Sequence, residues 1–214
     1  MTDFVQRLKN VASASVADAV DKVAGQRGYM EQATKPRIND TRIAGRAATV
    51  LEEPSTEVVP PQHALDLIDT AEAGSVMVIG IGGEEDVAVW GGLMTAGAHV
   101  RGFAGAVLDG GVRDVTEIRR DYGFPVYARS ISPGTTVGRF RTVASNVPVV
   151  CGGITVNPGD WIMADIDGVV VIPAVHLQAV VEMAEEIERR ELEQAKLIVA
   201  SKSLREGLAK YGRI

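Results

Sequence analysis

The chain has 214 residues, 46% of them hydrophobic and 23% charged, with a formal net charge of −6 at pH 7. That length holds one domain with a substantial core, or two small ones, and the acidic balance argues against nucleic acid as the main partner. Its apolar runs fall short of the ~18 residues that a membrane helix needs, MTDFVQRLKN lacks a signal-peptide core, and the lone Cys151 cannot close an internal disulfide, so the cytoplasm is the expected location and Cys151 reads as a small buried hydrophobe.

Residues 3–24 read as helical. Ser15-Val16-Ala17-Asp18 resembles a capping box with Asp in place of Glu, so a helix begins or restarts there. Residues 25–41 are polar and punctuated by Gly25, Gly28 and Pro36, a loop pattern. Ile43–Leu51 reads as a strand, and Pro60-Pro61 introduces a helix over His63–Ala73. Ser75–Ile81 (SVMVIGI) suits a buried strand ending at Gly82-Gly83. Gly91-Gly92 opens a helical pattern, Ala104–Leu108 is a short apolar strand, and Gly110-Gly111-Val112-Arg113-Asp114 opens the next helix. Pro125–Ala128 continues this α/β alternation. Val137–Ile172 is rich in Val, Thr, Gly and Pro, with turn signals at Asn157–Asp160 and Asp165–Gly168, and reads as short strands without helices. Residues 174–200 form a long charged helix with an apolar stripe at Val180, Met183, Ala184 and Ile187, and the tail LREGLAKYGRI is free to cross to another subunit. No linker divides the chain, so residues 1–214 are expected to form a single domain with mixed sheets.

The chemistry concentrates between Trp90 and Glu117. A glycine-flanked helix start presents backbone N–H groups that attract anions. Arg113 supplies a planar fork suited to a carboxylate. Asp114 offers hard oxygen to a cation such as Mg²⁺, and Glu117, three residues on, shares its helix face. Plainer readings stand beside these: a glycine pair also permits tight packing, Arg113-Asp114 also suits a surface ion pair, and first-turn acids also complement the helix dipole. His63, His99 and His176 lack ligand spacing, and the glycines at 80, 82 and 83 match no dinucleotide or P-loop fingerprint. The charge run Glu185–Glu193 reads as a solvated helix face.

The stretches SVADAVDKV (Ser15–Val23), Gly91–Met94, RGFAGAVLDGGVRD (Arg101–Asp114), FPVYA (Phe124–Ala128) and Gly152–Ile172 resemble the family of 4-hydroxy-4-methyl-2-oxoglutarate aldolases and their relatives, the regulators of ribonuclease E activity A. The resemblance implies an α/β fold, a three-layer β/β/α sandwich of the swivelling phosphohistidine-domain type. It implies ring-shaped homotrimers, some paired into hexamers, with sites between subunits. It implies a metal-dependent lyase that cleaves hydroxy-oxo-acids to pyruvate or decarboxylates oxaloacetate. On that likeness Gly91, Gly92, Leu93 and Met94 bind the substrate carboxylate through N–H groups, and Arg113 contacts its carboxyl or keto oxygen. Asp114 anchors Mg²⁺ or Mn²⁺ largely through water, with Glu117 beside it. Asp18 and a glutamate such as Glu188 or Glu191 approach from a neighbouring subunit.

The family's aldolase pattern is an acid, twenty residues, Arg-Asp, two residues, then Asp or Glu; this chain has Gly92 where the first acid belongs. Two further expectations therefore stand beside the lyase: a non-catalytic regulator that binds a protein partner such as a ribonuclease, and a lyase or hydrolase with a different substrate, for which Gly92 enlarges the pocket.

Overall fold

In the computed structural model, which describes residues 2–210 with side chains from Phe4 onward, nine strands share one curved sheet. Its hub is β2 (Ile43–Pro54). This strand runs antiparallel to β10 (Trp161–Asp165) at its start, parallel to β3 (Val76–Gly80) along its middle, and antiparallel to β7 (Phe140–Ser145) at its end. Outward from β3 lie β5 (Gly105–Val112), β6 (Val126–Ile131) and the two-residue β1 (Lys35–Pro36). Outward from β10 lies β11 (Gly168–Ile172), and β4 (Ala88–Trp90) pairs with the end of β5. The sheet curls until its two edges approach: Lys35 Nζ, on β1, donates to the Asp167 carbonyl at the foot of β11, and Tyr29 bridges Val170. The result is a mixed α/β fold around a nearly closed barrel.

Strands β3, β5 and β6 are parallel, so helices must carry the chain back between them. α3 (Gln62–Thr70), α4 (Gly92–Val100) and α5 (Val115–Asp121) do so on one face, burying Ile79, Leu108, Trp90 and Ile118. Covered on both sides, β3 and β5 are buried along their whole lengths, which is why their sequences run apolar rather than alternating. On the other face, Val78, Val107 and Tyr127 pack against the hairpin β8 (Val149–Cys151) and β9 (Ile154–Val156). That hairpin turns on Gly152 and Gly153, at φ 54 and 74, the left-handed pair that a two-residue turn needs. α1 (Thr2–Lys9), α2 (Ser13–Ala24) and α6 (Leu177–Ser201) cover β10 and β11 through Val16, Val20, Val180 and Ala184.

Several expectations change. The N-terminal helical run is broken, and α2 restarts at Ser13, two residues ahead of the supposed capping box. Tertiary acceptors replace the local cap: Asp165 accepts from Ser13 N and Oγ, and Glu188 accepts from Ala12 N at 2.6 Å and from Ser15 Oγ at 3.1 Å. Gly110-Gly111 does not open a helix. Both glycines lie inside β5, where a Cβ on Gly111 would sit 2.9 Å from Ser130 Oγ and 3.1 Å from the Val87 carbonyl, so they permit close strand approach rather than a turn.

The loop expected over residues 25–41 carries β1, and β2 continues three residues past Leu51. The last helix begins with a 3₁₀ turn, Ala174–His176, and the tail folds back as α7 (Leu204–Leu208) against α6 of its own chain. Residues 211–214 of that tail lie outside the described residues. Cys151 is fully buried, and burial, reinforced by Asp109, pushes its thiol well above the usual range, as expected of a small hydrophobe.

Candidate functional site

The parallel strands β4 and β5 end side by side, and Arg113 N donates to the Trp90 carbonyl at 3.0 Å across that end. Asp114 then takes a left-handed conformation, φ 58 and ψ 33, which turns the chain sharply into α5. Aspartate tolerates this region better than most residues. The turn points the carboxylate back at α4, where Asp114 Oδ2 accepts the Gly92 N–H at 2.9 Å. Arg113 Nε stands 3.7 Å from the same oxygen, and both side chains are 44% exposed. At that exposure the pair adds under about 1 kcal/mol to stability, so its placement matters more for what it faces than for what it holds together.

The helix start opposite is held from below. Trp90 Nε1 donates to Thr95 Oγ1 at 2.8 Å, Thr95 Oγ1 donates to the Gly91 carbonyl at 3.0 Å, and Trp90 stacks on Phe124. Gly91 is buried and extended, and a Cβ there would lie 2.8 Å from Asp114 Oδ2 and 3.1 Å from Arg113 Nε. Gly92 has room, since its Cβ would meet Asp114 Oδ2 only at 3.5 Å. With the Gly92 N–H taken by Asp114, Leu93 and Met94 supply the remaining first-turn donors, whose intrahelical acceptors do not exist. Leu93 is 92% exposed and Met94 packs partly into the core.

These groups line a cleft of about 370 Å³ at the strand ends, the usual ligand position in an open α/β sheet. Pro60 and Pro61, from the connection into α3, Leu65 on α3 itself, and Thr135 and Thr136, after β6, help to complete its walls. None of these five residues was marked by the sequence as part of a site, because each reaches the cleft through tertiary folding rather than through a motif. A larger cleft of about 710 Å³ holds neither Arg113 nor Asp114. The smaller one carries the opposed charges and the helix start, and chemistry outranks size here.

Among the described residues, no three His, Cys, Asp or Glu side chains gather to hold a metal. The cleft offers one carboxylate, Asp114, with Glu117 exposed on the first turn of α5. That donor set fits a hard cation such as Mg²⁺, which keeps several waters and takes one or two carboxylates, and does not fit a zinc-type cage. Asp18 and Glu191 are exposed and away from the cleft lining, whereas Glu188 is engaged with α2 of its own chain. His63, His99 and His176 do not line the cleft.

A nearly closed mixed barrel, with a small cleft holding Arg113 and Asp114 where parallel strands end, defines the class of fold. The chain belongs to the RraA-like family, described as Aldolase/RraA, whose profile matches residues 13–171. It is 35% identical over 204 residues to the protein DlpA of Legionella pneumophila, a match that covers 95% of this chain and 32% of the other. The chain thus spans about a third of that relative's length. It is 30% identical over 174 residues to a Halalkalibacterium halodurans protein named provisionally as a 4-hydroxy-4-methyl-2-oxoglutarate aldolase, covering 80% of this chain and 77% of that one. Among solved structures it superposes on Streptomyces coelicolor RraAS2, described as an unusual member of the RNase ES inhibitor RraA family. The TM-score is 0.81 at 27% identity, over 88% of this chain and 94% of the other. No helix among the described residues is long and apolar enough to cross a membrane.

Proposed function

We propose that the protein is a divalent-metal-dependent carbon–carbon lyase acting on a short oxo-acid. The observation that carries this reading is the convergence of Arg113, Asp114 and the α4 N-terminus on one small cleft. Leu93 and Met94 N–H groups would receive a substrate carboxylate. The Arg113 fork would bind the keto or carboxyl oxygen and stabilise negative charge as it develops there. Asp114 would hold Mg²⁺ or Mn²⁺ largely through water, with Glu117 beside it; the bound ion would supply Lewis-acid polarisation of the substrate oxygens. The provisional aldolase names of relatives support the same class. The three-layer β/β/α swivelling-domain architecture belongs to this reading, supported by a sheet with helices on one face and the β8–β9 hairpin on the other.

The cleft favours one reaction over another. Retro-aldol cleavage requires a base to remove the substrate hydroxyl proton, whereas β-decarboxylation of an ionised acid does not. In decarboxylation the breaking C–C bond passes its electron pair into the ketone, CO₂ leaves, and solvent protonates the enolate carbon. Arg113 and Asp114 are the only charged residues of the described chain that line the cleft, and position 92 holds no acid. Oxaloacetate is therefore the first substrate to test, and an acid from a neighbouring copy, in a trimer or hexamer, would be needed for the aldol reaction. Pyruvate release from oxaloacetate, measured with Mg²⁺, Mn²⁺ or chelator against the metal-only background, should require both protein and metal. A rate equal to background sinks the reading.

The glycines give a paired prediction. Gly91→Ala should leave the fold intact, because the atoms it crowds belong to two half-exposed side chains and not to backbone, yet lower kcat/KM by about tenfold or more by displacing Arg113 and Asp114. Gly92→Ala should keep the rate within about threefold, since ordinary contact distances surround its Cβ. Steady-state kinetics on both variants, with melting curves as the folding control, checks the contrast.

A second reading, a regulator that binds a protein partner, draws on the likeness to RraAS2 and on the missing acid at position 92. Capture of a ribonuclease by the purified protein, unaffected by chelator, would favour it.

A further inference from the structure

The larger cleft lies apart from Arg113 and Asp114, between the end of β2, the turn after β3 and the approach to β8. A β-bulge falls at Leu51/Glu52, where β2 pairs with β7. Glu52 beyond it is 3% exposed and lines this cleft, and neither of its carboxylate oxygens has a hydrogen-bond partner among the described residues. A buried acid with both oxygens unpartnered is costly and unusual. Burial alone pushes its carboxyl up to about 7; no cation among the described residues offsets it.

The surroundings say what would offset it. The lining adds Glu84 and Glu85 and no basic side chain; Arg129, beside Gly83 and 3.9 Å from Glu85, is already paired with Asp109 and Glu31. Leu51, Phe140 and Val149 make apolar walls. No three potential metal ligands gather among the described residues. We infer that this cleft binds an organic cation, an ammonium or guanidinium head on an apolar stem, with Glu52 as its counter-ion. The head would satisfy the orphaned oxygens and restore the ionised form, while the stem would lie along the apolar walls. The cation is either a free amine or the Lys or Arg side chain of a second copy of this chain. The inference stands independently of the lyase reading.

Calorimetric titration of the full chain with n-butylammonium and n-butylguanidinium, with n-butanol as the uncharged control, tests the free-amine source. Saturable binding of either cation, absent for butanol and weakened roughly ten- to hundredfold in Glu52→Gln, is the expected result. Glu52→Met serves as a second variant if Gln is poorly tolerated, since an apolar side chain suits a buried site. Sedimentation of wild type and variant covers the other source: an assembly that loses mass in Glu52→Gln, or when butylammonium is added, assigns the cation to a second copy. Cation binding equal in wild type and variant overturns the inference. So does an absence of binding combined with an assembly mass that Glu52→Gln leaves unchanged.

Discussion

Asp114→Ala and Arg113→Ala are each expected to lower metal-dependent pyruvate release by roughly 10²–10³-fold, the range seen when one preorganised charge-stabilising group is removed from an active site. Two conservative variants separate the causes. Asp114→Asn keeps a residue that tolerates φ 58 and an oxygen able to accept the Gly92 N–H, but it loses the charge. If the carboxylate's role is to hold a divalent ion, Asn should be nearly as damaging as Ala, and added Mn²⁺ should not restore the rate. If the role is to pin the start of α4, Asn should recover most of the activity. Arg113→Lys keeps a positive charge without the planar fork and should stay at least about tenfold below wild type. Melting curves should barely move for the Arg113 variants, because both side chains of the pair are 44% exposed and such a pair contributes little to stability; Asp114→Ala should lose about 1 kcal/mol more, since alanine is disfavoured at φ 58 and cannot accept the Gly92 N–H. Full activity in both alanine variants would remove the cleft from consideration as the reaction site.

Much of this cleft was legible in the sequence because its parts are contiguous. Gly91–Met94 and Arg113–Asp114 lie in short strings whose chemistry depends on backbone and local turns, and the structure brings both strings to one wall. The buried parallel strands were legible for the same reason: Val76–Gly80 is apolar throughout because both its faces are covered. What the sequence hid depends on partners far along the chain. The start of α2 was misplaced because its N–H groups are satisfied by Asp165 and Glu188, more than 150 residues away, and no local cap marks it. Gly110-Gly111 was read as a helix start because glycine pairs serve turns and close strand approach alike; only the neighbours at Val87 and Ser130 decide which. Lys35–Pro36 pairs with β6 over two residues, too short to leave a periodic signal. Thr135 and Thr136 reach the cleft by a bridge between Ala88 and Thr135 that no pattern announces.

Asp109 was hidden in plain view, as the one acid in the apolar run of β5, and it carries the second large prediction. Its carboxylate, on a residue 2% exposed, accepts from Gly83 N at 2.7 Å, Gly152 N at 2.9 Å and Arg129 Nε at 2.8 Å. It thereby ties the turn after β3 and the β8–β9 turn to the sheet's centre. Asp109→Ala should cost about 3–5 kcal/mol in urea unfolding, because it leaves two amide donors without their acceptor and takes from Arg129 its one buried counter-ion. Arg129→Ala should cost less than that: Asp109 keeps both amide donors, and the other partners of Arg129, Glu31 and Glu85, are solvent-exposed. The double variant should be more stable than the sum of the single losses predicts by at least about 1 kcal/mol, since the second deletion removes a charge that the first had already deprived of its buried counter-ion. Strict additivity would mean that the two charges are independently solvated and that the turns, rather than the ion pair, carry the cost. Either way the Asp109→Ala loss should exceed that of Asp114→Ala several-fold. Two acids five residues apart in one string thus divide the work: the buried one closes the fold, and the exposed one faces the cleft.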